Sequence, residues 1–219
     1  MQELWNAVDD YFNAHFLSPD PILDHILTFS DESGLPQINV SPAQGKMLYL
    51  LAQLTNAKNI LEIGTLGGYS TVWLARALPK GGKVVTLEAD PHHVDVARKN
   101  IAHAGFADVV DVHLGYASDI LPTLTNQAPF DFIFVDADKV NSALYLDWAT
   151  KLGRVGATII LDNAPRKGAI IQADSTDENV IGMRRAVEFI GNHPRLSATV
   201  VQTVGSKGLD GFVLIRLTE

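Results

Sequence analysis

The chain has 219 residues, of which 47% are apolar and 19% charged, with a formal net charge of −8 and no cysteine. That composition fits a folded α/β domain with a full hydrophobic core and excludes a disordered chain. It also excludes disulfides, zinc–thiolate sites and cysteine nucleophiles, while an acidic balance with no lysine/arginine block disfavours duplex nucleic acid as a partner.

The first residues, Met1-Gln2-Glu3-Leu4-Trp5, show no basic stretch followed by an apolar run, so no signal peptide is expected. The longest apolar runs are strand-sized, too short to span a bilayer. The expectation is a soluble, cytoplasmic, single-domain protein with N-terminal helices over 1–56 and a Rossmann-like core over 57–219.

Residues 2–17 and 20–32 predict two helices, the first with Leu4, Val8, Phe12 and Phe16 at near-helical spacing. Gly34-Leu35-Pro36 breaks the pattern. Ser41-Pro42-Ala43-Gln44 then opens a helix to about residue 56, with serine as N-cap, proline at the first helical position and glutamine three residues after the cap. From residue 59 short apolar runs alternate with helical segments. The predicted strands are 60–63, 84–87, 109–114, 132–135 and 158–161. The predicted helices between them are 69–78, 91–104, 117–126 and 140–152. Strand–helix alternation of this kind implies a parallel sheet with helices on both faces. After a helix over 178–192, two β-runs (197–203 and 211–217) flank Gly205-Ser206-Lys207-Gly208 and predict a hairpin, which ends the sheet with an antiparallel strand.

The first strand runs into Glu62-Ile63-Gly64-Thr65-Leu66-Gly67-Gly68-Tyr69-Ser70. A glycine turn between strand and helix brings backbone close to a ligand and aims helix N–H groups at it. Leu66 stands where the dinucleotide fingerprint requires glycine, which argues against an NAD(P)-binding oxidoreductase. The Glu62 carboxylate is ill suited to a pyrophosphate and well suited to a cation. S-adenosylmethionine, with an ammonium, a sulfonium and no phosphate, fits that turn. Glu88, at the tip of the second strand, is placed to accept hydrogen bonds from a ribose diol.

The fourth strand ends in Asp136-Ala137-Asp138-Lys139 and the fifth in Asp162-Asn163. Ligands of open parallel sheets bind beyond the carboxyl ends of the strands. If these two strands are neighbours, Asp136, Asp162 and Asn163 converge. Two carboxylates and an amide oxygen form a hard set suited to Mg²⁺, or to Mn²⁺ or Ca²⁺, with positions left for water and two substrate oxygens.

Taken together, the segments 62–70, Glu88, 135–139 and Asp162-Asn163 resemble, in order and spacing, the cation-dependent O-methyltransferases that include the caffeoyl-CoA enzymes. The metal site is also similar to that of catechol O-methyltransferases. The resemblance extends over nearly the whole chain and includes the helix start at 40–45. It implies a seven-stranded Rossmann-like sheet of order 3-2-1-4-5-7-6 with strand 7 antiparallel. It also implies transfer of a methyl group from S-adenosylmethionine to a vicinal dihydroxy compound. Cofactor contacts are expected at Val40, Glu62, Gly64, Thr65 and Ser70, and at Glu88, Ala117 and Asp136. Metal ligands are expected at Asp136, Asp162 and Asn163. Lys139 falls where relatives place the base for the attacking hydroxyl, and Tyr145 where the site is lined. A homodimer is a further expectation of the family.

Two departures bear on the acceptor. Pro165-Arg166-Lys167 stands where plant relatives carry an aromatic residue, and Ser142 replaces a tyrosine, so the plant substrate is not carried over. The polar run 164–177 reads as part of a lid, with Arg166 either facing an anionic substrate group or forming a surface charge. Some bacterial relatives methylate hydroxyuridine in transfer RNA, the alternative acceptor. His92-His93 reads as a solvated face, and Gly205-Ser206-Lys207-Gly208 as a turn and nothing more.

Overall fold

Strand β1 (Asn59–Ile63) pairs in parallel with both β2 (Lys83–Glu88) and β4 (Phe130–Val135), which makes it the middle of the parallel half of the sheet. The computed structural model describes residues 1–219. Its sheet has the order β3-β2-β1-β4-β5-β7-β6, with β3 (Val110–Leu114), β5 (Gly153–Asp162), β6 (Leu196–Gly205) and β7 (Gly208–Leu217). Strand β7 is antiparallel to both of its neighbours, as expected from the hairpin.

Both faces are covered because strand residues alternate between two cores. Phe132 and Phe134 belong to one core, Ile133 and Val135 to the other. On the first face lie α2 (Pro21–Glu32), α3 (Pro42–Leu54), α4 (Tyr69–Ala77) and α5 (Pro91–His103). On the second lie α6 (Ala117–Ile120), α7 (Ser142–Leu152) and α8 (Glu178–Asn192). Burial of such alternating apolar residues, at about 25 cal/mol per Å², is the principal driving force of the assembly. Trp73 and Leu74 are buried on the crossover helix α4, and Trp73 lies so close to α3 that a Cβ on Gly45 would meet its ring at 2.3 Å.

Four predicted segments differ. Residues 117–126 form no single helix: α6 gives way to a 3-10 helix over Leu121–Asn126, because Pro122 cannot donate an N–H and its ring crowds the preceding turn. Strand β5 begins five residues earlier than the apolar run 158–161, and the hairpin strands are each ten residues long around a tight Ser206-Lys207 turn. The predicted loop 164–177 contains a 3-10 turn over Arg166–Ile171. Helix α1 (Gln2–Phe16) forms as predicted but buries none of its residues. No helix is long and apolar enough to cross a membrane.

Candidate active site

The C-terminal ends of β1, β2, β4 and β5 open into a cleft of about 720 Å³. Its floor is the glycine turn. Gly64, at φ +101°, lies against the end of β4 so closely that a Cβ there would stand 2.2 Å from the Asp136 carbonyl oxygen. Only glycine accepts both that backbone conformation and that approach. Gly68, also left-handed, forms the N-cap of α4. From behind, the Asn100 amide donates to the Gly67 carbonyl at 2.8 Å and to Ser30 Oγ at 3.2 Å, tying the turn to α5 and α2.

Most of the predicted cofactor residues line this cleft: Val40, Gly64, Thr65, Ser70, Glu88, Ala117, Asp136 and Tyr145. Glu62 does not. It is fully buried behind the turn and accepts hydrogen bonds from the hydroxyls of Ser70 (2.6 Å), Thr86 (2.7 Å) and Thr71. Burial pushes its pKa up to about 7, against the lowering effect of those three hydroxyls, with the Asp136 charge adding to the rise. Its link to the cleft runs through Ser70. Glu88 braces the turn as well as facing the cleft, accepting from the backbone N–H of Leu66 at 2.8 Å and of Thr65 at 3.3 Å. His93, read as solvated, also lines the cleft, with Nδ1 3.6 Å from Glu88.

The predicted metal and catalytic residues sit at the other end. Strands β4 and β5 are neighbours in register Val135↔Leu161, so Asp136 and Asp162 follow at the same height. Lys139 is buried, and its Nζ donates to Asp136 Oδ1 at 2.8 Å. Asp162, 2% exposed, accepts from the Gln44 amide at 2.7 Å. The spacing of Gln44 from Ser41 predicts the second half of a capping box; its side chain instead turns inward to the carboxylate, leaving Ser41 Oγ alone to cap α3 through the Gln44 N–H. Burial raises the Asp162 pKa to about 7, the Asp136 charge adds to the rise, and Lys139 opposes it. Asn163, at φ +56°, donates from Nδ2 to Asp210 Oδ2 at 3.0 Å. Tyr145 is fixed by a hydrogen bond from its hydroxyl to Asp138, whose carboxylate also accepts from the Asn141 N–H at 3.0 Å. Burial and that carboxylate hold the Tyr145 hydroxyl well above its ordinary pKa.

Asp162 borders a second cavity of about 210 Å³, lined also by Gln44, Asp210 and Lys207. Lys207, assigned to a plain turn by its sequence, hydrogen-bonds from Nζ to the carbonyls of Ile38 and Asn39, both of which line the main cleft. Burial lowers its pKa, while Asp136, Asp162 and Asp210 act in the opposite direction. Asp210, Gln44 and Lys207 were missed in the sequence. Only Gln44 carried a signal, its position in the first turn of a helix leading into the site.

Among histidine, cysteine, aspartate and glutamate alone, no group of three side chains is placed to hold a metal. A cation here depends on Asp136, Asp162 and the Asn163 amide. That donor set fits a hard divalent ion: it is all oxygen, and the buried Asp162 carboxylate, whose ionisation the Asp136 charge opposes, is relieved by a nearby positive charge.

Comparison with known proteins gives the family. The sequence model of a family described as O-methyltransferase matches residues 15–217. A catechol O-methyltransferase of Mycobacterium tuberculosis is 50% identical over 207 residues, covering 94% of this chain and 93% of that protein. A second catechol O-methyltransferase, of Niastella koreensis, is 46% identical over 214 residues, covering 97% of each. Among solved structures, the O-methyltransferase of Bacillus cereus in complex with SAH superposes with a TM-score of 0.98 at 51% identity, covering 100% of both chains. The chain belongs to the O-methyltransferase family.

Proposed function

We propose that this enzyme transfers a methyl group from S-adenosylmethionine to one hydroxyl of a small catechol-like acceptor, in a reaction that depends on a divalent cation. The observation that carries the reading is one cleft joining two kinds of site. A glycine turn with Glu88 at its rim lies at the β1–β2 end, and Asp136, Asn163 and Lys139 lie at the β4–β5 end with Asp162 beside them. The relatives named catechol O-methyltransferase, and the SAH held by the Bacillus cereus structure, support the choice of donor and acceptor.

Bound S-adenosylmethionine supplies an electrophilic methyl on a sulfonium. A cation held by Asp136, Asp162 and Asn163 supplies positive charge that favours loss of the acceptor's proton. The chain does the rest. Glu88 offers a carboxylate to the ribose diol, and Ser70 transmits the Glu62 charge toward the donor's cationic end. Lys139 takes the hydroxyl proton at Nζ in its neutral form, whereas as the ammonium that pairs with Asp136 it holds the developing oxyanion. The acceptor oxygen then forms its bond to the methyl carbon as the carbon–sulfur bond breaks, leaving S-adenosylhomocysteine. Alignment of the two reactants is the largest contribution, worth about 7–11 kcal/mol in well-oriented intramolecular reactions. The net charge of −8 favours a small acceptor over transfer RNA.

The reading extends to a homodimer. Helix α1 leaves Leu4, Val8, Phe12 and Phe16 exposed in one stripe, an apolar face of the kind that subunit contacts cover. Light scattering is expected to give twice the chain mass, and a monomer after replacement of Phe12 and Phe16 by serine. For the activity, labelled S-adenosylmethionine with 1,2-dihydroxybenzene and Mg²⁺ is expected to yield labelled 2-methoxyphenol; labelled product from no catechol in a panel would reject the acceptor class.

A further inference from the structure

The turn that follows Asp162-Asn163 is held in an unfavourable backbone conformation. Three of the five non-glycine residues with positive φ fall within it: Asn163 (+56°), Arg166 (+49°) and Lys167 (+54°), with Gly168 (+89°) next. Asparagine visits this region readily; arginine and lysine do so rarely, and such outliers persist where the surroundings enforce them. Here the Arg166 N–H donates to the Asn163 carbonyl at 3.1 Å, and the Gly168 N–H to that of Pro165 at 2.8 Å. Arg184 of α8 anchors the far end through the Ile170 carbonyl at 2.8 Å.

The result of this enforced turn is that Arg166 lines the main cleft, at the end where Asn163 and Lys139 stand. Its guanidinium takes part in none of the chain's six ion pairs. Its Nε is buried without a hydrogen-bond partner. Asp177, the acid on which the Arg166 charge acts, is engaged at the N-terminus of α8, where it accepts from the Asn179 N–H at 2.8 Å. A buried donor with no acceptor is costly, and the positive φ at Arg166 adds a separate cost. A ligand that supplies the missing acceptor removes the first of these.

We infer that Arg166 is a specificity-determining residue whose guanidinium receives a carboxylate on the methyl acceptor, so that the preferred acceptors are anionic catechols rather than neutral ones. This rests on the O-methylation of catechols proposed above. The planar fork of arginine matches a carboxylate in a way that a surface lysine does not. The position separates the acceptor from the nucleoside: Arg166 follows β5, and the ribose-facing Glu88 ends β2, three strand spacings or about 14 Å away across the sheet. A carboxylate bound at Arg166 places the remainder of an aromatic acceptor toward Asn163 and Lys139, where its hydroxyls are needed.

The test compares 3,4-dihydroxybenzoate with 1,2-dihydroxybenzene under labelled S-adenosylmethionine and Mg²⁺, in the wild type, Arg166→Met and Arg166→Lys. The wild type is expected to favour the benzoate. Arg166→Met should lower kcat/KM for the benzoate by about 10–100-fold, mainly through KM, and cost the neutral catechol far less. Arg166→Lys should recover part of that loss. S-adenosylhomocysteine affinity, which also certifies folding, should change little in either variant. Equal losses on both acceptors, or no wild-type preference for the anion, would overturn the assignment. A matching loss of S-adenosylhomocysteine affinity would give Arg166 to the cofactor instead. Wild-type turnover of neither compound would reject the catechol reading itself and this inference with it.

Discussion

Asn163 Nδ2 donates to Asp210 Oδ2 at 3.0 Å, and this one contact decides which atom of the amide is left free. A carboxylate can only accept, so the amide NH₂ is committed to Asp210 and the carbonyl oxygen is left for a cation. Contacts of this kind, one step removed from a metal, commonly change affinity by about 10–100-fold when lost. Asp210→Ala is accordingly expected to weaken Mn²⁺ binding, followed by electron paramagnetic resonance, by about that factor while S-adenosylhomocysteine binds as before. Unchanged Mn²⁺ affinity would mean that Asn163 is oriented by something else.

Little of that contact was legible in the sequence. Asp210 lies 47 positions from Asn163 and belongs to a hairpin whose pairing partner, β5, no local pattern names. The apolar runs and the cap signal at Ser41 placed seven strands and most helices, because period and capping are local properties. The placing of Asp136 and Asp162 at the same height required only that β4 and β5 be neighbours, which they are. What stayed hidden were side chains that cross between distant elements, such as Gln44 to Asp162 and Lys207 to Asn39, and the backbone strain at Arg166.

Glu62 gives a pH signature. Its pKa rises from 4.5 to about 7 on folding. Between those values the folded chain holds a proton that the unfolded chain has released. The contribution of Glu62 to stability is therefore fully present below the unfolded value and lost as pH rises through about 7. Thermal unfolding of the ligand-free protein should show wild-type stability declining relative to Glu62→Gln from about pH 5 to pH 8. A difference that stays constant over that range would place the Glu62 pKa near its ordinary value.

Gly182 on α8 is expected to be intolerant of substitution for a reason that concerns the site. A Cβ there would stand 2.3 Å from the Lys139 carbonyl oxygen and 2.6 Å from Val140 Cα. Gly182→Ala should cost about 1–3 kcal/mol in denaturant unfolding, as overpacking does, and shift the segment that carries Lys139. Methyl transfer should fall by at least about tenfold, since small misplacements of catalytic groups are expensive. Wild-type turnover in this variant would show that the segment tolerates displacement.

Asp162→Ala separates the two halves of the cleft. The side chain borders the second cavity and touches Gln44, away from the glycine turn. Cation-dependent turnover should disappear, and S-adenosylhomocysteine affinity by calorimetry should stay within about threefold of wild type. Equal loss of both would sink the division of roles.

The dependence on a cation is measured most directly in the wild type. Methyl transfer from labelled S-adenosylmethionine to 3,4-dihydroxybenzoate is followed with Mg²⁺, after EDTA, and after Mg²⁺ is restored, with S-adenosylhomocysteine binding measured under each condition. Turnover that vanishes with EDTA and returns with Mg²⁺, while S-adenosylhomocysteine binding persists throughout, is the predicted result. Turnover undiminished by EDTA would contradict it and leave Asp136, Asp162 and Asn163 with a purely structural task.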